Sequence, residues 1–227
     1  MSLFIGIPTY NGLLHHTTVS GLVQVAHFCA KNSVGLAVEV IPHDAFVGRA
    51  RNLIAKRFLE SGFNDLLYVD ADVGFDVEGV ISLCRAKADI VMGLYRMKEE
   101  NPDESRKVKF PALLAEPLVR NEQDQSLLKL EYGPAGFMRV RRNVFEKMKE
   151  RWPDAWYEDA NGRIHDFFPA GRIGNAFWGE DISFCMRAKE CGFDLWAAQG
   201  IGLSHHGEKA WPSLWQIDIP KEIQEAA

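Results

Sequence analysis

Short apolar runs alternate with amphipathic stretches along the first part of the chain. Four runs have the length and the β-branched or aromatic content of buried strands, namely Leu3–Ile7, Leu36–Ile41, Leu66–Val69 and Asp89–Leu94. Between them, apolar residues recur at helical spacing over Thr17–Lys31, Val47–Glu60 and Val77–Ala86. Repeated strand–helix units predict an α/β fold with a mostly parallel central sheet flanked by helices.

The alternation stops at residues 98–107, a charged stretch that predicts an exposed, mobile loop. The remainder predicts short strands at Ala112–Leu114, Leu127–Leu130, Gly136–Val140, Phe193–Ala198 and Ile201–Ser204. Helices are predicted over Asn143–Arg151 and Asp181–Glu190, separated by an irregular segment from Trp152 to Asn175. We therefore expect one domain over residues 1–227, with a nucleotide-binding half (1–96) and an acceptor-binding half (97–227).

The composition is that of a globular protein with a substantial core. Of 227 residues, 47% are apolar and 25% charged, and the formal net charge is −5. That charge disfavours nonspecific binding to nucleic acid or to an anionic membrane. Four cysteines form no CxxC pair, and no apolar run is long enough for a signal peptide or a membrane span. We expect free thiols and a cytoplasmic location.

Two aspartates, Asp70 and Asp72, follow the apolar run Leu66–Val69. Residues i and i+2 of a strand point to the same side, so the two carboxylates are expected to converge. Open α/β sheets bind ligands beyond the carboxyl ends of their strands, where such a pair suits a divalent cation and a phosphorylated ligand. The alternative is that both aspartates are turn formers or helix caps.

A basic segment, Gly48-Arg49-Ala50-Arg51-Asn52, opens the second predicted helix. Free backbone N–H groups and guanidinium groups there suit a diphosphate or a nucleobase. Asp44, just before it, is expected to accept hydrogen bonds from a base or to act as a turn residue. The alternative for the whole segment is a solvated basic turn.

Two acids, Glu180 and Asp181, begin the late helix. The helix macrodipole is expected to favour their ionised forms and to lower the pKa of each. A general base for a sugar hydroxyl must be an ionised carboxylate that faces a cleft, and this position provides one. Helix capping is the alternative, and we expect one acid to cap while the other faces the site.

The last apolar run is followed by His205, His206 and, after Gly207-Glu208, by Lys209. A neutral imidazole suits a cation already held by a carboxylate, and a nearby lysine can neutralise phosphate charge. Adjacent residues of a strand point in opposite directions, so only one histidine is expected to reach a metal. Small residues in Gly133–Met138 allow backbone to approach a ligand closely, or simply form a tight turn.

Taken in order, these segments resemble the GT-A glycosyltransferases, most closely the compact family 2-like inverting enzymes of bacteria and large DNA viruses. The residues that carry the resemblance span nearly the whole chain. They are Ile7-Pro8-Thr9-Tyr10-Asn11, Ala50-Arg51-Asn52, Asp70-Ala71-Asp72, the segment from Gly133 to Met138, Glu180-Asp181 and His205. The resemblance implies transfer of a sugar from a nucleoside diphosphate donor, with Mn²⁺ or Mg²⁺ as cofactor.

The resemblance also implies a role for each matching residue. Pro8, Thr9 and Tyr10 would line the nucleoside pocket, with Asp44, Arg51 and Asp70 near the base or the ribose. Asp72 and His205 would bind the metal. Asp181 would be the catalytic base, and Glu180 would hold the acceptor or the donor sugar.

Two departures from the family pattern leave alternatives open. Pro42-His43-Asp44-Ala45 replaces the usual Asp-Asp-Gly-Ser turn, and His205 to Lys209 is similar to the tail of retaining GT-A enzymes. The Glu180-Asp181 pair favours inversion. A nucleotidyltransferase would usually carry a Gly-rich loop near its N-terminus, which is absent here, and a nonenzymatic nucleotide-sugar or glycan-binding module would not need a base. The donor sugar, the acceptor (glycan, protein, lipid or modified nucleic acid) and the oligomeric state are not specified by the sequence.

Overall fold

The computed structural model of the chain describes residues 2–98, 110–207 and 210–216. The predicted loop at 98–107 therefore lies outside the described residues except for Lys98, and Lys209 lies outside them as well. All four cysteines are free, as expected. No helix in the described part of the chain has the length and apolar character needed to cross a membrane.

The described residues form helices and strands in a mixed order. The helices are α1 (His16–Lys31), α2 (Val47–Glu60), α3 (Val77–Arg85), α4 (Arg142–Arg151) and α5 (Glu180–Glu190). The strands are β1 (Ser2–Thr9), β2 (Gly35–Pro42), β3 (Asp65–Val69), β4 (Val73–Phe75), β5 (Ile90–Gly93), β6 (Leu113–Leu114), β7 (Leu127–Tyr132), β8 (Phe137–Arg141), β9 (Trp156–Asp159), β10 (Gly162–His165), β11 (Gly171–Ile173), β12 (Ala176–Trp178), β13 (Leu195–Ala198), β14 (Gly202–His206) and β15 (Ala210–Leu214).

The central sheet has eight strands in the order β2-β1-β3-β8-β5-β13-β7-β6. Strands β7 and β8 run against the other six, so the predicted α/β fold with a mostly parallel sheet is confirmed. The simple succession of parallel strands expected for the first half is wrong in one respect. Strand β8, from the second half of the chain, lies between β3 and β5 and pairs with both.

A smaller sheet, β15-β14-β4, lies next to the carboxyl end of β3. Its strands β4 and β15 are absent from the sequence prediction, and β14 extends beyond Ser204 to include His205 and His206. Residues 203–205 pair with residues 73–75 in antiparallel register. This pairing brings the late histidines beside the Asp70–Asp72 segment, although they are far apart in the sequence.

The segment predicted to be irregular, Trp152 to Asn175, instead contains regular structure. Strands β9 and β10 form one antiparallel hairpin, and β11 and β12 form another. Gly162, with φ +80°, supports the tight turn between β9 and β10. The prediction failed because Gly and Pro in this segment mark short hairpins rather than an extended loop.

Apolar side chains pack on both faces of the central sheet, as the alternation along β3 requires. Leu66 and Tyr68 contribute to the layer that includes residues of α2, α4 and α5, and Leu67 and Val69 to the layer that includes residues of α1 and α3. Fully buried Arg139, on β8, donates hydrogen bonds to backbone carbonyls of Leu83 and Ala86. It thereby satisfies carbonyl groups at the end of α3.

Candidate active site

A cleft of about 620 Å³ opens where β1, β2 and β3 end. Its walls come from the segments that follow these strands and from the β14 end. The lining residues are Pro8, Thr9, Tyr10, Asn11, Leu13, Leu14, His15, Asp44, Ala45, Val47, Asp70, Ala71, Asp72, Lys98, His206 and Gly207. The carboxyl edge of the parallel strands is the location at which open α/β sheets bind ligands.

The segment Asp70-Ala71-Asp72 is a turn between β3 and β4 rather than a strand end. Backbone hydrogen bonds fix it: Asp70 N donates to Gly136 O at 2.8 Å, and His15 N donates to Ala71 O at 2.8 Å. Both carboxylates line the cleft, but they contact different partners. The strand-based argument for their convergence was therefore wrong, because strand geometry ends at Val69.

Asp70 belongs to a buried charge cluster, the Arg51 cluster, formed by Arg51, Asp70 and Glu180. Arg51 Nη2 lies 2.8 Å from Asp70 Oδ1, and Arg51 Nη1 lies 2.5 Å from Glu180 Oε1. The Arg51 side chain is only 4% exposed. Burial opposes its charge, but the two carboxylates outweigh burial and raise the pKa of Arg51. Arg51 therefore ties β3 to the start of α5 and does not itself line the cleft.

Gly136 creates the space that Asp70 occupies. A side chain at this position would clash with the Asp70 carboxylate and with the Tyr95 hydroxyl, which lie 3.5 Å apart. Burial and the nearby Asp70 raise the pKa of Tyr95 well above its usual value. The backbone of the segment Gly133–Met138 therefore comes close to Asp70, which lines the cleft.

Asp72 lies at a more open corner, where it contacts Lys98 and His205. His205 Nδ1 lies 3.1 Å from the carbonyl oxygen of Arg96, which can only accept, so Nδ1 carries the ring hydrogen. Burial lowers the pKa of His205, and in the neutral ring Nε2 then presents a lone pair. That lone pair faces Asp72 Oδ1 at 3.6 Å. Asp72 and His205 thus bring together two acceptor atoms of types that bind cations in proteins.

His206 points away from His205, as expected for adjacent strand residues. Its ring stacks on that of His15 with centroids 4.0 Å apart, and its Nε2 lies 2.6 Å from Ser204 Oγ. His206 lines the cleft, whereas His205 contacts Asp72 without being part of the cleft lining. Within the described residues, no group of three or more His, Cys, Asp or Glu side chains is arranged to hold a metal.

The two acids at the start of α5 differ in their surroundings. Glu180 pairs with Arg51, while Asp181 Oδ1 accepts a hydrogen bond from Ile182 N at 2.9 Å. Burial and the neighbouring Glu180 raise the pKa of Asp181, although Arg51 acts in the opposite direction. The expectation that the helix macrodipole lowers its pKa is therefore wrong for Asp181, because desolvation dominates. Gly179 occupies the N-cap position, so neither acid caps the helix through the N-cap side chain.

Most of the residues that the resemblance assigns to the nucleoside line the cleft, namely Pro8, Thr9, Tyr10, Asp44 and Asp70, whereas Arg51 does not. Tyr10 is 76% exposed, so its ring is available to a ligand. Thr9 Oγ1 donates to Leu13 O at 2.9 Å and thereby holds the turn after β1. Asp44 accepts from Arg49 Nε at 2.9 Å and from Phe46 N at 2.9 Å, so its oxygens already have protein partners.

A second pocket, of about 480 Å³, lies on the other side of the start of α2. Asn52 shapes it: its Oδ1 accepts from the backbone N of Phe167 and Phe168, at 2.9 and 3.0 Å. The pocket is lined by Ala45, Phe46, Val47, Gly48, Arg49, Asn52, Tyr157, Asp166, Phe168, Pro169, Ala170 and Glu180. It shares Ala45 and Val47 with the cleft, so the two cavities adjoin at the start of α2.

Three residues of the site were not selected from the sequence: His15, Tyr95 and Lys98. Lys98 was included in a predicted loop, and none of the three belongs to a recognisable motif. His206 was named beside His205, with the expectation that only one of the two reaches a metal. Only the pairing of β14 with β4 decides which of the two histidines faces Asp72.

No model of a known protein family matches the chain, and no curated protein sequence does. Solved structures do match. The catalytic domain of Drosophila β1,4-galactosyltransferase 7 in complex with xylobiose has 14% identity and a TM-score of 0.51, over 100% of this chain and 79% of that one. A mutant of that enzyme with manganese, UDP-Gal and xylobiose has 14% identity and a TM-score of 0.48, over 97% and 78%. Residues 1–349 of S. aureus TarS with UDP have 15% identity and a TM-score of 0.44, over 87% and 57%. The first match shows the fold: the chain has the GT-A glycosyltransferase fold.

Proposed function

We propose that the protein is a metal-dependent glycosyltransferase that moves a sugar from a nucleoside diphosphate, UDP in preference, to an acceptor hydroxyl with inversion. The observation that carries this proposal is the turn with Asp70 and Asp72 at the carboxyl edge of a GT-A sheet, joined through Arg51 to Glu180 at the start of α5. The same helix start carries Asp181. A helix-borne carboxylate on the acceptor side suits inversion, since a retaining enzyme has no need for such a base.

The cleft is the proposed donor site. The exposed Tyr10 ring suits a nucleobase, and Pro8 and Thr9 form the wall beside it. Asp70 is proposed as a nucleoside contact, since its carboxylate is fixed by Arg51 while it still lines the cleft. Asp44 is proposed to contact the base. Lys209 stays a proposed phosphate contact, and it lies outside the described residues.

Asp72 and His205 are the proposed ligands of Mn²⁺ or Mg²⁺. The separation of 3.6 Å between their facing acceptor atoms is close to the ~3 Å expected for adjacent ligands of an octahedral cation. The backbone carbonyl of Arg96 fixes the ring tautomer that metal binding requires. When bound, the cation would supply charge stabilisation to the departing diphosphate.

Asp181 is the proposed general base. Burial and Glu180 raise the pKa of Asp181, which makes it a stronger base than an ordinary aspartate. In the proposed step the acceptor hydroxyl gives its proton to Asp181 as its oxygen bonds to the anomeric carbon. The bond from that carbon to the diphosphate oxygen breaks, and the nucleoside diphosphate leaves with the electron pair.

The second pocket is the proposed acceptor site. Glu180 lines it and belongs to the Arg51 cluster, so one residue connects the acceptor pocket with the donor side. Phe46, Tyr157 and Phe168 supply the aromatic walls that sugar rings favour. Glu180 is therefore proposed to hold an acceptor or donor sugar hydroxyl. A cytoplasmic location is part of this proposal, because all four thiols are free.

The proposal is tested by donor hydrolysis, which needs no acceptor. A panel of UDP, GDP and dTDP sugars is incubated with the protein in Mn²⁺, and release of nucleoside diphosphate is measured. We expect release from one donor class, with UDP sugars favoured. No release from any donor, together with release of pyrophosphate when a sugar phosphate and UTP are supplied, would instead favour a nucleotidyltransferase.

Once a donor and an acceptor are known, the variant Asp181→Asn tests the base. We expect transfer to fall at least 10²-fold with donor affinity nearly unchanged, because only proton transfer is lost. Asp194→Asn is the matched control, since Asp194 forms a surface ion pair with Lys129 at 2.7 Å. Full transfer activity in Asp181→Asn would reject the mechanism. If the wild type binds the donor but transfers no sugar, the protein would instead be a binding module.

A further inference from the structure

A third cavity lies away from the cleft and from the second pocket, and shares no lining residue with either. It measures about 430 Å³ and lies among α2, α4 and the β9–β10 hairpin. Three cationic side chains line it, Lys56, Lys149 and Arg163, against one carboxylate, Glu60. This basic pocket stands out in a chain whose net charge is −5.

Arg163 is held in a defined orientation at the mouth of the basic pocket. Its guanidinium carbon lies 3.8 Å from the centroid of the Trp156 ring, which is its diagonal neighbour in the β9–β10 hairpin. Glu158 lies 3.8 Å from Arg163 Nε and offsets part of its charge. A stacked guanidinium presents its N–H groups in a fixed plane, which suits a phosphate or carboxylate group.

The two lysines differ in how far their charge is neutralised. Lys56 Nζ donates to the carbonyl of Asn161 at 2.5 Å and lies 3.9 Å from Glu60. Lys149 has no carboxylate within 4.0 Å among the described residues, although it lines the same wall. Lys149 is therefore the principal positive charge that a ligand would neutralise.

His165 is a titratable group on the wall of the basic pocket. It lines the pocket, and its Nε2 is buried without a hydrogen-bond partner in the described part of the chain. Burial lowers the pKa of His165 to about 4, and Lys149 and Arg187 add to this effect. The charged groups around it are Lys149 from α4, Arg187 from α5, Lys56 and Glu60 from α2, and Arg163 from its own hairpin.

We propose that the basic pocket is a second ligand site, which binds a small molecule that carries a phosphate or carboxylate group through Lys149 and Arg163. A volume of about 430 Å³ accommodates one such molecule of sugar-phosphate size. Lys56 adds a donor from α2, and the aromatic edge of Trp156 provides apolar contact. This site is separate from the proposed donor and acceptor sites, and its test uses neither substrate.

The test uses the full chain and NMR of the histidine ring signals, with inorganic phosphate, glucose 6-phosphate and glucuronate as probes. We expect saturable shifts of the His165 signals, and a rise in the pKa of His165 on binding because a bound anion offsets the charge of Lys149. Tighter binding of glucose 6-phosphate than of inorganic phosphate would assign a sugar phosphate, and tighter binding of glucuronate would assign a sugar carboxylate. Equal affinities would assign a free anion site.

Matched variants decide where the probe binds. Lys149→Gln should weaken binding about tenfold, because one charge-assisted contact is lost. Lys147→Gln is the control, since Lys147 lies on the same helix and forms an exposed pair with Glu150. Thermal unfolding verifies that both variants are folded. If Lys149→Gln does not fold, Arg163→Gln provides a second test of the same site. Absence of saturable shifts at His165, or equal weakening by Lys147→Gln, would overturn the proposal.

Discussion

The two aspartates of the Asp-x-Asp turn occupy contrasting environments. Asp70 is held by an arginine that is 4% exposed and belongs to a cluster with Glu180. Asp72 contacts a more exposed lysine, Lys98, and faces the lone pair of a neutral histidine. Although the two residues are close in sequence, the Asp70 carboxylate joins a largely buried cluster, whereas the Asp72 side chain is 41% exposed beside Lys98 and His205.

The two regions differ in how deeply their charged side chains are buried and in which partners the protein supplies for them. In the Arg51 cluster the buried guanidinium pairs with two partly buried carboxylates, so loss of the guanidinium leaves both without their counter-charge. The Asp72 corner is more exposed, and among the described residues it brings Asp72 together with Lys98 and His205. Under the proposed function, this corner is where the cation and the donor bind. Variants of the two regions should therefore differ in kind: those of the Arg51 cluster lose stability, and those of the Asp72 corner lose ligand binding.

The largest effect on stability is expected for Arg51→Met. Removal of the guanidinium leaves Asp70 and Glu180 partly buried without their counter-charge, at a cost of about 3–5 kcal/mol in the free energy of unfolding. Urea denaturation measures this cost. Arg49→Met is the control, because Arg49 forms a more exposed pair with Asp44 and should cost less than about 1 kcal/mol. Equal costs for the two variants would contradict the distinction between the regions.

A smaller loss is expected for Gly136→Ala. The added methyl group would clash with the Asp70 carboxylate and the Tyr95 hydroxyl, at a cost of about 1–3 kcal/mol. Nucleotide binding should weaken as well, since Asp70 must shift in the cleft wall. Gly62→Ala is the matched control, because a side chain there has nothing within 4 Å. If the two variants unfold at the same denaturant concentration, Gly136 does not create the space for Asp70.

Asp181→Asn should change stability in the opposite direction. The folded-state pKa of Asp181 is raised above the ordinary value of 3.8, so ionisation of this group costs stability as the pH rises through the folded pKa. The variant should therefore melt at a higher temperature than the wild type at neutral pH, and this advantage should disappear below pH 3.8. Thermal melts across this pH range measure the difference. A lower melting temperature at pH 7 would show that Asp181 is stabilised as a carboxylate.

The smallest effect on stability is expected for Lys98→Met. Its contact with Asp72 is partly exposed, so the free energy of unfolding should change by less than about 1 kcal/mol. Because Lys98 competes with a cation for the Asp72 carboxylate, the variant should bind Mn²⁺ more tightly in the absence of nucleotide. Electron paramagnetic resonance of free Mn²⁺ measures this change. Weaker Mn²⁺ binding would instead make Lys98 a supporting residue of the metal site.

The sequence predicts most elements of the first half well, because its helices have a helical period and its longer strands are apolar runs, although the three-residue strand β4 is missed. The bounds of α2 coincide with the prediction, Val47–Glu60, and the GT-A resemblance gave the fold. The insertion of β8 between β3 and β5 was not foreseeable, since strand order depends on pairing between distant segments. The hairpins of residues 156–178 were missed because their strands have three or four residues each.

The candidate site was predictable as a set of residues but not as a set of contacts. Arg51 and Glu180 were both selected from the sequence, yet their ion pair spans 129 residues and follows no local rule. Lys98, His15 and Tyr95 carry no motif. The raised pKa of Asp181 depends on burial, which a helix-dipole argument from sequence cannot include.

Calorimetric titration of UDP into the protein, with Mn²⁺ and with EDTA, tests the central claim most directly. We predict saturable binding that requires Mn²⁺ in the wild type and is strongly weakened in Asp72→Ala. The parallel variants His205→Ala and His206→Ala identify the second ligand, and the larger loss is expected for His205→Ala. UDP binding of equal strength in EDTA, or unchanged Mn²⁺-dependent binding in Asp72→Ala, would contradict the assignment of a metal-dependent nucleotide-sugar site.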